Sequence, residues 1–281
     1  MALPALGPAL PEIILALGAI AMVLVGAIQR ERSARLLEGA ALVLLAVALV
    51  LVLSGTGKLL TFNGGFIVDG LARFMKVLTL IGAGAAILLA SSPLRRDGVM
   101  RFEFPVLVVL ATIGMMMMIS ANDLIGLYIG IELQSLALYV VAAFDRDNAK
   151  STEAGLKYFI LGTLSSGMLL YGGSLVYGFT GTVSFTGIAA ATQGGHAGLG
   201  LIFGIVFIAA GVVFKISAVP FHMWTPDVYE GAPTPIAAFF ASAPKMAAMA
   251  MVIRIFIGAF PGAIHDWRQI IIFIAIASMA L

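Results

Sequence analysis

The sequence predicts an all-α membrane protein, a polytopic helical bundle with one broken transmembrane helix. Three observations carry this. Of 281 residues, 61% are hydrophobic and only 11% charged, where soluble domains carry roughly 25% charged residues. The apolar residues gather into runs of about 20, the length that crosses ~30 Å of hydrocarbon. One run is cut by Pro220 beside Lys215 and His222, and a proline inside a helix removes a backbone donor and clashes with the preceding turn.

Apolar runs fall at roughly 5–28, 36–54, 66–90, 104–120, 123–143, 152–178, 199–225 and 235–258, with a ninth starting near 268. The first has no basic residue before it and Arg30, Arg32 and Arg35 after it. It therefore reads as a retained span and not a cleaved signal. Arg95, Arg96 and Arg101 mark a second basic loop, Arg146 and Lys150 a third, while the alternate loops hold only Lys58 and Arg268. This asymmetry predicts cytoplasmic odd-numbered connections and an N-terminus on the periplasmic side.

Span three opens with Asp69 and Arg73, an i,i+4 pair with the acid first, which predicts a local ion pair at the helix start. The run Met115 to Met118 in span four is adaptable packing. Gly162 and Ser166 in span six form a small-xxx-small step, which predicts close backbone approach. The linker 178–198 carries no Lys or Arg and reads as an outer-face loop without chemistry. The ninth run, begun near 268, would offer about fourteen residues before Leu281, too few to cross. The chain is accordingly expected to continue beyond Leu281.

The absence of cysteine excludes disulfides, cysteine-ligated zinc and iron–sulfur clusters carried by this chain. A net charge of +2, with no basic patch interleaved with aromatics, gives no footprint for nucleic acid.

Chemistry concentrates between Gly211 and Pro235, GVVFKISAVPFHMWTPDVYEGAPTP. Hydrocarbon tolerates a broken helix only where protein or a water-filled cavity receives the freed backbone groups. A charge and an imidazole flanking such a break mark an ion pathway. Glu132, Lys157, Lys215 and Lys245 sit at or toward the middle of their runs, Lys157 in the first turns of span six. At ~2.5–3.5 kcal/mol each they would cost on the order of 10 kcal/mol if left facing lipid, so they should face one another or water.

The set of one carboxylate, three lysines and His222 suits protons. Hard metal cations want several oxygen ligands, which one carboxylate cannot supply. A lysine that exchanges its proton near neutrality must come down from about 10.4, worth ~4 kcal/mol, within reach of desolvation. Bringing Glu132 close would load it, and separation would discharge it. Histidine, near 6.5, relays protons without large tuning. The expected arrangement has Glu132 facing Lys215, span seven interrupted between about Ser217 and Trp224, and Lys245 on a polar axis after Pro244. The competing reading is that these charges only bind helices together.

The ordered run Lys215-x4-Pro220-Phe221-His222-x-Trp224-x-Pro226-Asp227, followed by Ala232-Pro233-Thr234-Pro235 and then Lys245, resembles the proton-pumping antiporter-like membrane subunits of respiratory complex I. The same signature occurs in multisubunit sodium/proton antiporters. The run from Trp224 to Gly231 and the run from Gly155 to Gly162 resemble one of the large antiporter-like subunits of complex I, whereas the other large subunits and the antiporters typically have Leu-Pro-Asp-Ala and a following His.

The resemblance implies a first of two inverted five-helix repeats at 104–258, three N-terminal helices at 1–103 and the start of a second repeat at 259–281. It implies translocation by Glu132, Lys215 and Lys245, with Lys157 and His222 as relays. It implies no cofactor in this chain, with NADH, FMN, iron–sulfur clusters and quinone in partner subunits. The implied partners are other membrane subunits, antiporter-like neighbours included, within a bacterial inner membrane. A cation/proton antiporter subunit and a structural membrane scaffold are the alternative functions.

Overall fold

The computed structural model describes residues 5–193 and 198–281, without the side chains of Glu31 and Arg32. Residues 194–197, part of the expected outer loop, lie outside the described residues, as does the side chain of Arg32 counted among the loop cations. Among the described residues, nine helical segments are long and apolar enough to cross a membrane. The chain is a multi-pass membrane protein.

Helix α1 (Leu10–Gln29) turns through Arg30–Ser33 into α2 (Ala34–Ser54). A small antiparallel hairpin follows, β1 (Leu59–Thr61) with β2 (Phe66–Val68), pairing Leu59 with Val68 and Thr61 with Phe66. Asn63 and Gly64, at φ 55° and 88°, form its turn, the left-handed conformation that these two residue types adopt most readily. The hairpin occupies the expected start of span three, so that helix, α3 (Gly70–Arg96), begins later. Asp69 fixes the boundary. Its backbone is extended and its side chain accepts from the Ala72 N–H at 2.8 Å, as an N-cap does.

Helix α4 (Glu103–Ser120) is apolar all round and enclosed by its neighbours, as such helices must be. Met115, Met116 and Met118 are fully buried there, so the methionine run is packing. Helix α5 (Leu124–Ala142) packs closely along α4, and the long α6 (Ala149–Thr180) packs along α8 (Leu199–Ile216). The close backbone approach in α6 is at Gly172, where a Cβ would meet the backbone of Ile208 at 2.7 Å. Gly162, expected to serve that role, instead clears room for the Tyr139 hydroxyl. The short α7 (Phe185–Ala191) lies in the linker after α6.

Span seven stops at Ile216, as the proline predicts. Ser217 turns left-handed at φ 58°, and the chain is non-helical until α9 (Thr225–Gly231). Span eight, expected to be continuous, is itself broken. Helix α10 (Thr234–Ala241) and α11 (Ala243–Ile253) meet at Ser242, where φ is −112° and ψ −92°. Ser242 Oγ bonds back to the carbonyls of Ala238 and Phe239, so a side chain supplies what the interrupted ladder lacks. After a π turn at Arg254–Ala259 the last helix, α12, runs Ile264–Ala280. It begins before residue 268, and the segment Pro261–Ala280 has 20 residues, enough by length and composition to cross.

Candidate proton site at the helix break

Glu132, Ser135 and Tyr139 occupy one face of α5, spaced i, i+3 and i+7. Lys215, in the last turn of α8, reaches across with its residue only 9% exposed. Its Nζ donates to Ser135 Oγ at 2.8 Å and lies 6.0 Å from the centre of the Tyr139 ring. Glu132 is near enough to act on Lys215 through its charge. The direct ion pair expected from the sequence is nevertheless not closed. Glu132 Oε1 is buried with no hydrogen-bond partner among the described residues, and Ser135 takes the lysine in its place.

The end of α8 is held open by aromatic packing. A helix leaves its last carbonyls without partners. Trp224 folds back so that its indole N–H donates to the Phe214 carbonyl at 3.2 Å. The indole stacks on Tyr158 at 4.5 Å and on Phe214 at 5.4 Å, and is 2% exposed. Lys245, half-buried on α11, lies 5.0 Å over the indole face and hydrogen-bonds Ser217 Oγ, a cation–π placement. Ser217 is two residues beyond Lys215, so both lysines converge on the α8 terminus. His222 lies within the non-helical segment, its Nδ1 buried and without a hydrogen-bond partner among the described residues.

Lys157 does not join this group. It is exposed two turns into α6, pairing with Glu153 and with Asp227 of α9, both at 2.7 Å. Helix α6 starts at Ala149, which puts Lys157 near its end rather than at mid-membrane. Its cost as a buried charge therefore drops out of the sum.

The partners of further buried charges escaped the sequence reading. Lys76 of α3, 1% exposed, meets Glu12 of α1 at 2.5 Å. Asp69 pairs not with Arg73 but with Arg254, in a two-pronged contact at 2.6 and 2.7 Å. Arg73 donates instead to the Gly57 carbonyl. Ser135, Tyr139 and Ser217 were also missed, although the helical spacing from Glu132 marks the first two.

Residues 121–281 match the family described as NADH:quinone oxidoreductase/Mrp antiporter, transmembrane. The chain belongs to this family. It is 66% identical over 281 residues to NADH-quinone oxidoreductase subunit N of Methylobacterium nodulans, covering 99% of this chain and 58% of that one. It is 58% identical over 275 residues to subunit N of Parvibaculum lavamentivorans, covering 98% and 57%. The chain thus spans 57–58% of the length of these relatives.

Among solved structures, a chain of respiratory complex I from Thermus thermophilus with bound aureothin superposes with TM-score 0.73 at 32% identity, over 90% of this chain and 54% of that one. A chain of the Mrp complex from Dietzia shares the fold, with TM-score 0.75 at 20% identity over 92% and 50%. The matched family region runs from Ala121, the residue after α4, to Leu281, so it contains the whole helix-break site.

Proposed function

We propose that this chain forms part of a proton-translocating membrane subunit of a NADH-quinone oxidoreductase, driven by quinone reduction in partner subunits. The observation that carries the proposal is Lys215, buried at a broken helix beside Glu132 with a hydroxyl and no closed ion pair. A lysine bound to a hydroxyl and not clamped in a closed ion pair can give up or regain its proton and keep a hydrogen-bond partner in both states. Glu132, Lys215 and Lys245 carry the proton, with His222 as a relay in the break. Lys157 is the outermost relay, where Asp227 joins α6 to α9.

In this reading 104–258 is the first of two inverted five-helix repeats, preceded by three helices at 1–103 and followed by the start of a second at 259–281. NADH, FMN, iron–sulfur clusters and quinone belong to partner subunits. The chain lies in the bacterial inner membrane among antiporter-like neighbours, with its N-terminus periplasmic. The family's second branch, a cation/proton antiporter, has the same fold in the Dietzia complex. Transport that requires sodium would favour that branch.

The test uses the full subunit in its assembled complex, in sealed vesicles. Glu132→Gln and Lys245→Ala are expected to leave assembly intact and to lower proton transport roughly a hundredfold. Lys245→Arg should do no better than Lys245→Ala, because arginine does not release its proton at physiological pH. Normal pumping by Lys245→Arg would remove lysine deprotonation from the cycle.

A further inference from the structure

A cavity of about 550 Å³ lies where the end of α5 meets the starts of α4 and α6. Leu107, Val140, Leu156 and Phe159 form its apolar walls. Val140, Leu156 and Phe159 are 55%, 58% and 45% exposed. In a chain that crosses a membrane, exposed apolar side chains on a span face hydrocarbon, so the cavity opens sideways toward lipid.

Two opposite charges, Glu103 and Arg146, also line it, and both sit at helix ends. Glu103 is the first residue of α4, and Arg146 follows α5, which ends at Ala142. Leu107 is one turn deeper along α4, and Leu156 and Phe159 lie two to three turns into α6. The cavity is thus charged at the membrane surface and apolar below it. Both groups carry their charge: the positive end of the α4 dipole favours the Glu103 carboxylate, and arginine does not release its proton.

Neither charge is answered within the protein. Glu103 Oε2 is buried without a hydrogen-bond partner, while the residue as a whole stays partly exposed and leaves its other oxygen to an outside donor. The exposed Arg146 guanidinium makes no hydrogen bond or ion pair among the described residues. Other charges at this end of the bundle are paired, Arg95 with Glu38, Lys150 with Glu230 and Lys157 with Glu153. An unpaired anion and an unpaired cation on one apolar cavity complement a zwitterion that carries a hydrocarbon chain.

We propose that this cavity binds a phospholipid with a primary-amine headgroup, phosphatidylethanolamine. Arg146 holds the phosphate through its planar fork, Glu103 accepts from the ammonium, and an acyl chain lies along Val140, Leu156 and Phe159. Phosphatidylcholine fits less well, because its quaternary amine has no N–H to donate to Glu103. Phosphatidylglycerol brings a net negative charge and no cation, so Glu103 repels it. The proposal needs only that the chain spans a membrane, and it stands apart from the proton-translocating reading.

The test uses the full subunit in its assembled complex, in vesicles of phosphatidylcholine with a trace of phosphatidylethanolamine bearing a photoactivatable acyl chain. Labelled peptides are mapped by mass spectrometry. Label is expected on the α5 and α6 residues of the cavity, and unlabelled phosphatidylethanolamine should displace it roughly three- to fivefold better than added phosphatidylcholine or phosphatidylglycerol. Glu103→Gln should abolish that preference, and Arg146→Gln should weaken labelling with the preference kept. Val140→Trp, which fills the cavity from an exposed position, should reduce labelling to background with assembly unchanged.

No label at the cavity in the unmodified subunit would mean that a protein neighbour covers it, and would overturn the site. Labelling that survives Val140→Trp would place the lipid on the outer surface and overturn the cavity as its seat. Equal displacement by all three lipids, or an unchanged preference in Glu103→Gln, would overturn headgroup recognition. Displacement in the unmodified subunit decides the matter if Val140→Trp fails to assemble.

Discussion

The N-terminal three helices and the α8 break both bury charge, but they answer it differently. In the first region acid meets base: Glu12 with Lys76 at 2.5 Å, Glu38 with Arg95 at 2.7 Å, and Asp69 with Arg254 across to the π turn. Around the break, lysine meets hydroxyl: Lys215 with Ser135, and Lys245 with Ser217. Glu132 Oε1 and His222 Nδ1 there have no hydrogen-bond partner among the described residues. A closed ion pair holds both charges in place, because removing either strands the other in a poorly solvated site. A lysine on a hydroxyl is not clamped to a carboxylate and keeps a hydrogen-bond partner when it loses its proton. The difference separates charges that fasten helices from charges that can change state.

The largest expected effect falls on the fastening side. Lys76→Met leaves Glu12 as a lone buried carboxylate and should lower stability by about 3–5 kcal/mol. The double change Glu12→Leu with Lys76→Met should recover most of that loss, since an apolar pair of similar volume replaces a buried ion pair at little cost. Lys215→Met removes one partner from a serine and should cost only about 1–3 kcal/mol, while stopping transport. Denaturant unfolding of the detergent-solubilised full subunit measures all three. If Lys215→Met proves as destabilising as Lys76→Met, the division between the two regions fails.

A smaller effect is expected where the N-terminal helices meet α11. Arg254 grips both oxygens of Asp69 and also donates to the Ile119 carbonyl at 3.2 Å, so one side chain ties α3, α4 and the π turn together. Lysine keeps the charge but lacks the planar fork. Arg254→Lys should therefore cost about 1–3 kcal/mol and leave transport per assembled complex unchanged. Loss of transport at unchanged stability would move Arg254 to the side of the mobile charges.

The residues of the break were legible because each signal was local. Pro220 interrupts an apolar run that already holds Lys215, and hydropathy with a proline suffices to find both. Glu132 and Lys245 stood out as isolated charges in long apolar runs. The Ser242 break had a local signal in Pro244, but that proline was used only to place Lys245, and the interruption at Ser242 itself is one backbone conformation with a serine bonding to its own helix. Lys157 was placed in the first turns of its run, where α6 has it, but it was counted with the mid-membrane charges because a sequence does not show Asp227 approaching from 70 residues away. The partners of Asp69 and Lys76 were missed for the same reason. The neighbour four residues along is visible in a sequence, whereas Arg254 lies 185 residues away. Ser135 and Tyr139 were readable from their spacing to Glu132, but their hydroxyls gained meaning only once Lys215 was seen beside them.

The smallest expected effect sharpens the comparison by titration. Burial works to raise the Asp69 carboxyl, but the Arg254 guanidinium and the Ala72 N–H outweigh it, with Lys58 adding to them, and hold it below the ordinary carboxylate value. A carboxyl depressed in the folded state contributes stability above its unfolded value of about 3.9, and that stability is lost as pH falls through the lower folded value. The Asp69 contribution should thus be constant from pH 7 to about pH 4 and fade below it. With its side chain 22% exposed, solvent screening limits the effect to about 1 kcal/mol. Asp69→Asn should be less stable than the unmodified subunit at neutral pH, with the gap narrowing in acid as the native carboxylate is protonated. Thermal unfolding in detergent from pH 7 down to about pH 3 gives the readout. A gap that stays constant over that range would mean that the Asp69–Arg254 contact contributes through shape and hydrogen bonding alone, without its charge.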